Sequence, residues 1–205
     1  MDGVRVGDGA LGGRGVYAAR DFAAGEVVVA YTLRELDAAQ YAALPPGEEL
    51  FVHSYGGRRY LYPAPARFVN HADDPSCYQD FERGCDVALR PIAAGEAVTI
   101  DATQETAREL ATFLEAYERE PERRAELLDA SAVLWRGGTA LRGRDAVVAA
   151  LLGDDLAGER LTGVEWLLGT GRWEALCSAR WGRRHLTMLL KVVAGNWQVV
   201  YQHLG

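Results

Sequence analysis

The sequence predicts a mixed α+β protein: a mostly-β first half followed by an α+β cone with a curved antiparallel sheet. Three observations lead there. The first hundred or so residues are short runs of β-branched and aromatic residues broken by Gly, Pro and Asp. From Glu105 the pattern turns helical, with Leu110, Phe113, Leu114 and Tyr117 at spacing i, i+3, i+4, i+7. From Trp173 onward, long runs alternate with period two. Helices followed by a run of strands is the order expected of an α+β layer, so the expected domains are residues 1–104 and 105–205.

In chain order, "GVYAARDF" and "VVVAYTL" read as strands, and "RELDAAQYAAL" as a short helical insert that stops at Pro45-Pro46. "RRYLYPA", "DVALRPI" and "EAVTID" resume the strand pattern. An internal echo, "RDFAAGEVV" from Arg20 and "RPIAAGEAV" from Arg90, predicts two similar turns, each glycine launching a strand. Past the boundary, "ETARELATFLEAYERE", "PERRAELLDA" and "GRDAVVAALLG" predict three helices. Period-two reading then puts Trp173, Ala175, Cys177, Ala179 and Trp181 on one strand face. It puts Trp197, Val199, Tyr201 and His203 on one face of the last strand.

The chain has 205 residues, 49% of them hydrophobic and 25% charged, an ordinary globular composition. A formal charge of −7 argues against nucleic acid as a partner, while leaving basic proteins or peptides open. Lys191 is the sole lysine. Cys77, Cys85 and Cys177 make no CxxC and no metal-ligand spacing, which predicts reduced thiols, no metal site and a cytoplasmic location. The N-terminal "MDGVRVGDG" does not read as a signal peptide, and no apolar run is long enough to span a membrane.

"ARFVNHADDPSC", Ala66 to Cys77, places an Asn-His pair between an apolar run and turn residues. It lies between "GRGVYAARDFAAGE" and "RPIAAGEAVTIDA". In that order and spacing, over residues 3–103, the three pieces resemble the SET-domain protein lysine methyltransferases. The resemblance implies a pseudoknotted β fold and S-adenosylmethionine as cofactor. It implies that Gly13, Arg14, Gly15, Tyr17, Phe68, Asn70 and His71 hold that cofactor, and that the acceptor is an amine such as a protein lysine. The glycines would admit the cofactor close to the backbone. The chain departs from the family pattern on the catalytic side. Ala102 follows Asp101 where that family has a tyrosine that orients the amine, Ala72 and Asp73 replace Ser-Cys, and Ser76 replaces Asn. No cysteine-rich segment comes after the motif. No catalytic residue is assigned; Tyr17, Tyr55, Tyr60 and Tyr62 stay open as a substitute ring, and a catalytically silent binding or scaffold module is the alternative reading.

Residues 105–205 resemble SnoaL-like and ketosteroid-isomerase-like domains through Asp129, Trp135, "LRGRDAV" and the strand from Trp197 to His203. That resemblance implies a cone closed by a curved sheet and dimerisation through the sheet. It also implies a small-molecule pocket, for which the polar candidates are Trp135, Glu165, Arg180, His185, Tyr201 and His203. Binding or isomerisation of a small molecule there is the third functional reading.

Overall fold

The computed structural model describes residues 3–9, 13–153, 159–169 and 173–205. The fold is mixed α+β, with two compact units. One contains residues 1–36, 45–53 and 60–108; the other contains 37–44, 54–59 and 109–205. The division thus runs through a helix, and two short segments of the first half group with the second unit.

In chain order the first-half elements are β1 (Val4–Asp8), β2 (Arg14–Ala18), β3 (Val27–Ala30), β4 (Arg34–Leu36), α1 (Ala38–Ala42), β5 (Val52–Tyr55) and β6 (Arg58–Leu61). They continue with β7 (Asn70–His71), β8 (Cys77–Asp80), β9 (Cys85–Ala88) and β10 (Ala97–Ile100). Three small sheets result, ordered β1-β2-β10-β7, β3-β9-β8 and β4-β6-β5. Helix α1 is shorter than its sequence run suggests, because "REL" pairs as β4; Asp37 and Gln40 close a capping box at its start.

The echoed segments form matching turns. Gly25 and Gly95 take φ of 82° and 90°, open to glycine at little cost. Glu26 accepts the Ala23 N–H and meets Arg20, and Glu96 does the same with Ala93 and Arg90. Phe22 and Ile92 then exchange backbone hydrogen bonds of 2.9 and 3.0 Å, joining one copy to the other. Both side chains are buried.

The second-half elements are α2 (Ala102–Arg119), α3 (Arg124–Leu127), β11 (Leu128–Arg136), β12 (Thr139–Arg142) and α4 (Arg144–Leu152). Four long strands complete the chain: β13 (Leu161–Leu168), β14 (Glu174–Trp181), β15 (Arg184–Val193) and β16 (Asn196–Leu204). With β11 and β12 they form one six-stranded sheet, ordered β12-β11-β16-β15-β14-β13. All its pairs are antiparallel except β11–β16, which is parallel. Helix α3 is shorter than predicted, since its expected last residues, Leu128 to Ala130, enter β11. The inner sheet face packs on Phe113, Leu114 and Tyr117 of α2 and on Val147 and Leu151 of α4.

The expected alternation fails in one strand, for a physical reason. Leu190 pairs with Val199 but Leu189 pairs with Tyr201, so β16 carries an extra residue. Such a bulge reverses the faces of the residues beyond it. Trp197 and Val199 are buried inside, while Tyr201 and His203 point outward. In β14, Ala175, Cys177, Ala179 and Trp181 share the buried face as expected; Trp173 lies before the strand and is exposed.

A buried polar network fixes the tip of the β5–β6 hairpin within the second unit. The Glu109 carboxylate accepts the Ser54 N–H at 3.1 Å and Trp197 Nε1–H at 2.9 Å. Asn196 donates to Gly57 O, and Trp197 N–H donates to Ser54 Oγ. Gly57 sits at φ 73°, and an added Cβ would lie 2.1 Å from Leu127 Cδ2. Gly57→Ala should therefore combine a left-handed penalty of about 1–2 kcal/mol with an overpacking cost of about 1–3 kcal/mol. Thermal denaturation is expected to show a Tm drop of roughly 5–15 °C. Gly137→Ala, also at positive φ but with nothing within 4 Å of the new Cβ, should lose far less.

Candidate functional site

Strand β10 organises the first unit. One edge pairs with β2 through Val98↔Val16, and the other carries β7 in parallel, Thr99↔Asn70 and Ile100↔His71. A two-residue strand has little stability alone, and buried Ser76 supplies the lock. Its N–H donates to Thr99 Oγ1 at 3.0 Å, and its Oγ accepts the Thr99 N–H at 2.9 Å. Ser76 thus ties the chain after the Asn-His pair back to the strand beside it.

This geometry brings the predicted cofactor residues together. Asn70 Nδ2 donates to Arg14 O at 3.2 Å, joining the Asn-His strand to the Gly-Arg-Gly turn. Gly13 has φ 71°. A Cβ at Gly15 would stand 3.3 Å from Asn70 Nδ2 and 3.4 Å from Gly9 Cα, so this close approach depends on glycine. The Arg14 guanidinium lies 5.2 Å from the centre of the Phe68 ring, which meets Phe51 edge-on. Tyr17 is the outlier: its hydroxyl donates to Asp8 O at 2.5 Å and Arg5 covers its ring. Asn70 and His71 are both exposed.

His71 links this face to the start of α2. Its Nδ1 accepts the Ala102 N–H at 3.1 Å, which leaves the proton of a neutral ring on Nε2, 3.4 Å from Asp73 Oδ1. Asp101 accepts the Thr103 Oγ1–H and N–H, at 2.6 and 3.0 Å. Those bonds, the hydroxyl first, hold its carboxyl below the ordinary range. Asp101 acts as a helix cap here.

The first turn of α2 reaches a second cluster that the sequence reading missed. Glu105 lies 3.5 Å from His53 Nδ1. The His53 ring packs against Tyr62 at 5.0 Å, and Tyr62 against Tyr31 at 5.2 Å. Asp86 and Gln79 are cross-strand neighbours on β9 and β8. Asp86 is 2% exposed and Gln79 is 8% exposed. Asp86 Oδ1 is buried with no hydrogen-bond partner, while the buried Tyr31 hydroxyl has the Gln79 and Tyr62 side chains as its polar neighbours. Burial, then the nearby Glu105 charge, pushes the Asp86 carboxyl up to about 7. Burial likewise raises the Tyr31 phenol. Of the tyrosines left open as a substitute ring, Tyr62 is the one this cluster contains; Tyr31 was not among them. Two signals were available. Asp86 stands alone in the apolar run "CDVAL", and Glu105 precedes Glu109, Phe113 and Tyr117 at helical spacing.

The six polar candidates of the second unit do not line its interior. Glu165, Ser178, Thr187, His203 and Trp135 form one cross-strand row, with Arg180↔His185 and Leu189↔Tyr201 beside it. All six therefore lie on the sheet face turned away from the helices. The inner face is filled largely by apolar side chains, with the Tyr117 hydroxyl donating to Gln202 Oε1 at 2.6 Å and Trp197 Nε1–H to Glu109 among them. Asp129 accepts from Ser131 N–H and Oγ–H, which holds its carboxyl below the usual range and makes it a local cap. A surface cleft elsewhere is lined by Ala130 and Arg142 to Ala146. Among the described residues, no cluster of His, Cys, Asp or Glu is arranged to hold a metal, and no helix is long and apolar enough to cross a membrane.

Comparison with known proteins finds that residues 13–101 match the family model of the SET domain. No curated protein matches the chain. Among solved structures, a Plasmodium falciparum protein described as a histone methyltransferase is 16% identical, covering 49% of this chain and 93% of its own, with a TM-score of 0.40. A Chaetomium thermophilum Polycomb Repressive Complex 2 chain is 20% identical, covering 51% and 15%, with a TM-score of 0.40. A protein of unknown function from Pectobacterium atrosepticum is 18% identical, covering 49% and 88%, with a TM-score of 0.41.

The orphaned Asp86 makes a stability prediction with a definite sign. Its folded pKa lies above the unfolded value, so the native state holds the proton more tightly. Stability from this group is complete below about pH 4 and is lost as pH rises through about 7. Asp86→Asn, which cannot ionise, should raise Tm relative to wild type at pH 8. That gain should shrink steadily between pH 7 and pH 4 in a series of thermal melts.

Proposed function

We propose that this protein is an S-adenosylmethionine-dependent methyltransferase of the SET type, acting on an amine such as a protein lysine. The observation that carries the reading is the meeting of the Gly13–Gly15 turn with Asn70, which His71 follows on the same short strand. The fit to the cofactor rests on the same place. Gly15 is itself buried, and the space a Cβ would take is filled by Asn70 Nδ2 and Gly9 Cα. The glycine thus lets Asn70 close on the turn, and Asn70 and His71 present exposed polar groups beside it. Gly13, Arg14, Gly15, Asn70 and His71 would hold the cofactor, with the Phe68 ring beneath Arg14. S-adenosylmethionine supplies an electrophilic methyl group on a sulfonium.

The amine would enter the cluster of Tyr31, Tyr62, Gln79 and Asp86. The unpartnered Asp86 oxygen and two aromatic faces suit an alkylammonium. The first turn of α2 spans the two groups, with Ala102 at His71 and Glu105 at the cluster. Burial would strip water from the amine and ease loss of its proton, without which nitrogen has no lone pair to attack.

A silent SET-like module is the second reading, favoured by Ala102 at the position of the family tyrosine. The small-molecule reading of the second unit gains no support, since its candidates line the outer sheet face. That face instead presents an apolar row, Leu167, Leu176, Leu189, Tyr201 and Val133, consistent with the homodimer expected from the sequence.

Calorimetric titration with S-adenosylmethionine tests the proposal. Micromolar binding is expected, lost in the Asn70→Ala, His71→Ala double variant. Gly15→Ala should weaken binding at least tenfold while leaving Tm within a few degrees of wild type. Absence of binding by the wild-type chain would exclude the methyltransferase reading. Binding with no methyl transfer to any peptide amine would favour the silent module.

A further inference from the structure

The buried cluster contains more acid than an amine-binding site needs. Binding an alkylammonium would take one carboxylate and some aromatic surface, yet Asp86 and Glu105 lie close together there. The two are not equivalent. Glu105 faces His53 at 3.5 Å, whereas Asp86 Oδ1 has no partner. All four residues of β9 are buried, so Asp86 has no route to solvent along its own strand. A carboxylate in such a place lowers stability unless something arrives to meet it.

From this placement we infer that Asp86 is the proton acceptor of the reaction, the group to which the substrate ammonium gives up its proton. The inference rests on the methyl-transfer reading and adds a catalytic residue to it. In the step, an N–H bond of R–NH₃⁺ breaks and its electron pair stays on nitrogen. The proton forms an O–H bond with the Asp86 carboxylate, giving R–NH₂ and a neutral carboxylic acid.

The neighbours single out Asp86 for this task. Tyr31, beyond the end of β3, holds its phenol proton more firmly than usual because it is buried. Gln79 on β8 has an amide, which is no base at neutral pH. Cys77 on β8 has a thiol pushed up to about 11, and Cys85 beside Asp86 is also raised, both by burial. Neither offers a thiolate near pH 7. Glu105 on α2 contributes negative charge that makes Asp86 more basic, with His53 of β5 behind it. A carboxylate tuned toward neutrality is suited to taking a proton from a desolvated amine, since proton transfer works best between groups of similar affinity. The Tyr31 and Tyr62 rings supply a cation-attracting wall while the amine is still charged.

The test tracks the Asp86 side-chain carboxyl carbon by NMR across pH in the intact chain. The resonance is assigned through the Asp86 backbone and checked by its absence in Asp86→Asn; the backbone route serves alone should that variant not fold. n-Butylammonium chloride is the probe and n-butanol the neutral control. The free chain should show a midpoint near 7. Saturating n-butylammonium should lower that midpoint by at least about one unit, because an adjacent cation favours the carboxylate, while n-butanol leaves it unmoved. A midpoint in the ordinary aspartate range, or one that the amine does not shift, overturns the assignment. S-adenosylmethionine titration of the same sample reads the cofactor question separately, so failure of one is not mistaken for failure of the other.

Discussion

Everything in the first unit that bears on chemistry hangs from the two edges of β10. One edge holds β2 and, through it, the Gly-Arg-Gly turn; the other holds the two-residue strand of Asn70 and His71. Backbone bonds alone would be a weak hold on so short a strand. The Ser76 hydroxyl and the Thr99 backbone and hydroxyl make the hold specific, inside a region from which water is excluded. The Ala-Ala-Gly-Glu turns before β3 and β10 then fix where those strands begin.

The buried carboxylates show two uses of one residue type. Glu109 has both a backbone N–H and an indole N–H to accept, so its charge is matched and the network acts as structure. Asp86 has an unmatched oxygen, and the same burial that makes Glu109 a clamp makes Asp86 a liability to the resting fold. Such a liability is intelligible where a cation is meant to complete the site. Asp101 and Asp129 complete the contrast, since each is spent on capping a neighbouring hydroxyl and amide.

Much of the fold was legible in the sequence, because hydrophobic period and turn chemistry act locally. The helix at Leu110 to Tyr117, the start of α4 and the paired glycine turns are all set by near neighbours. What was lost required long-range information. The face of Tyr201 and His203 reversed because β16 carries a bulge that is defined only against its partner strand. The end of α3 was misjudged because pairing of Leu128 with Val199 outweighed local helix preference. At the site, Asn70, His71 and the Gly-Arg-Gly turn were readable as motifs. Tyr31, Gln79, Asp86 and Glu105 come from four separate places in the chain and become a cluster only when it folds. The lone acid in "CDVAL" and the helical spacing of Glu105 were the visible traces of it.

The central claim is that the cofactor seats where the Gly-Arg-Gly turn meets the Asn-His strand. Amide chemical-shift mapping during titration with S-adenosylmethionine tests it most directly. The account predicts large shifts at Arg14, Gly15, Asn70, His71 and Ala102, with Tyr201 and His203 on the outer sheet unmoved. Shifts concentrated on the second unit, or none anywhere at millimolar cofactor, would contradict it.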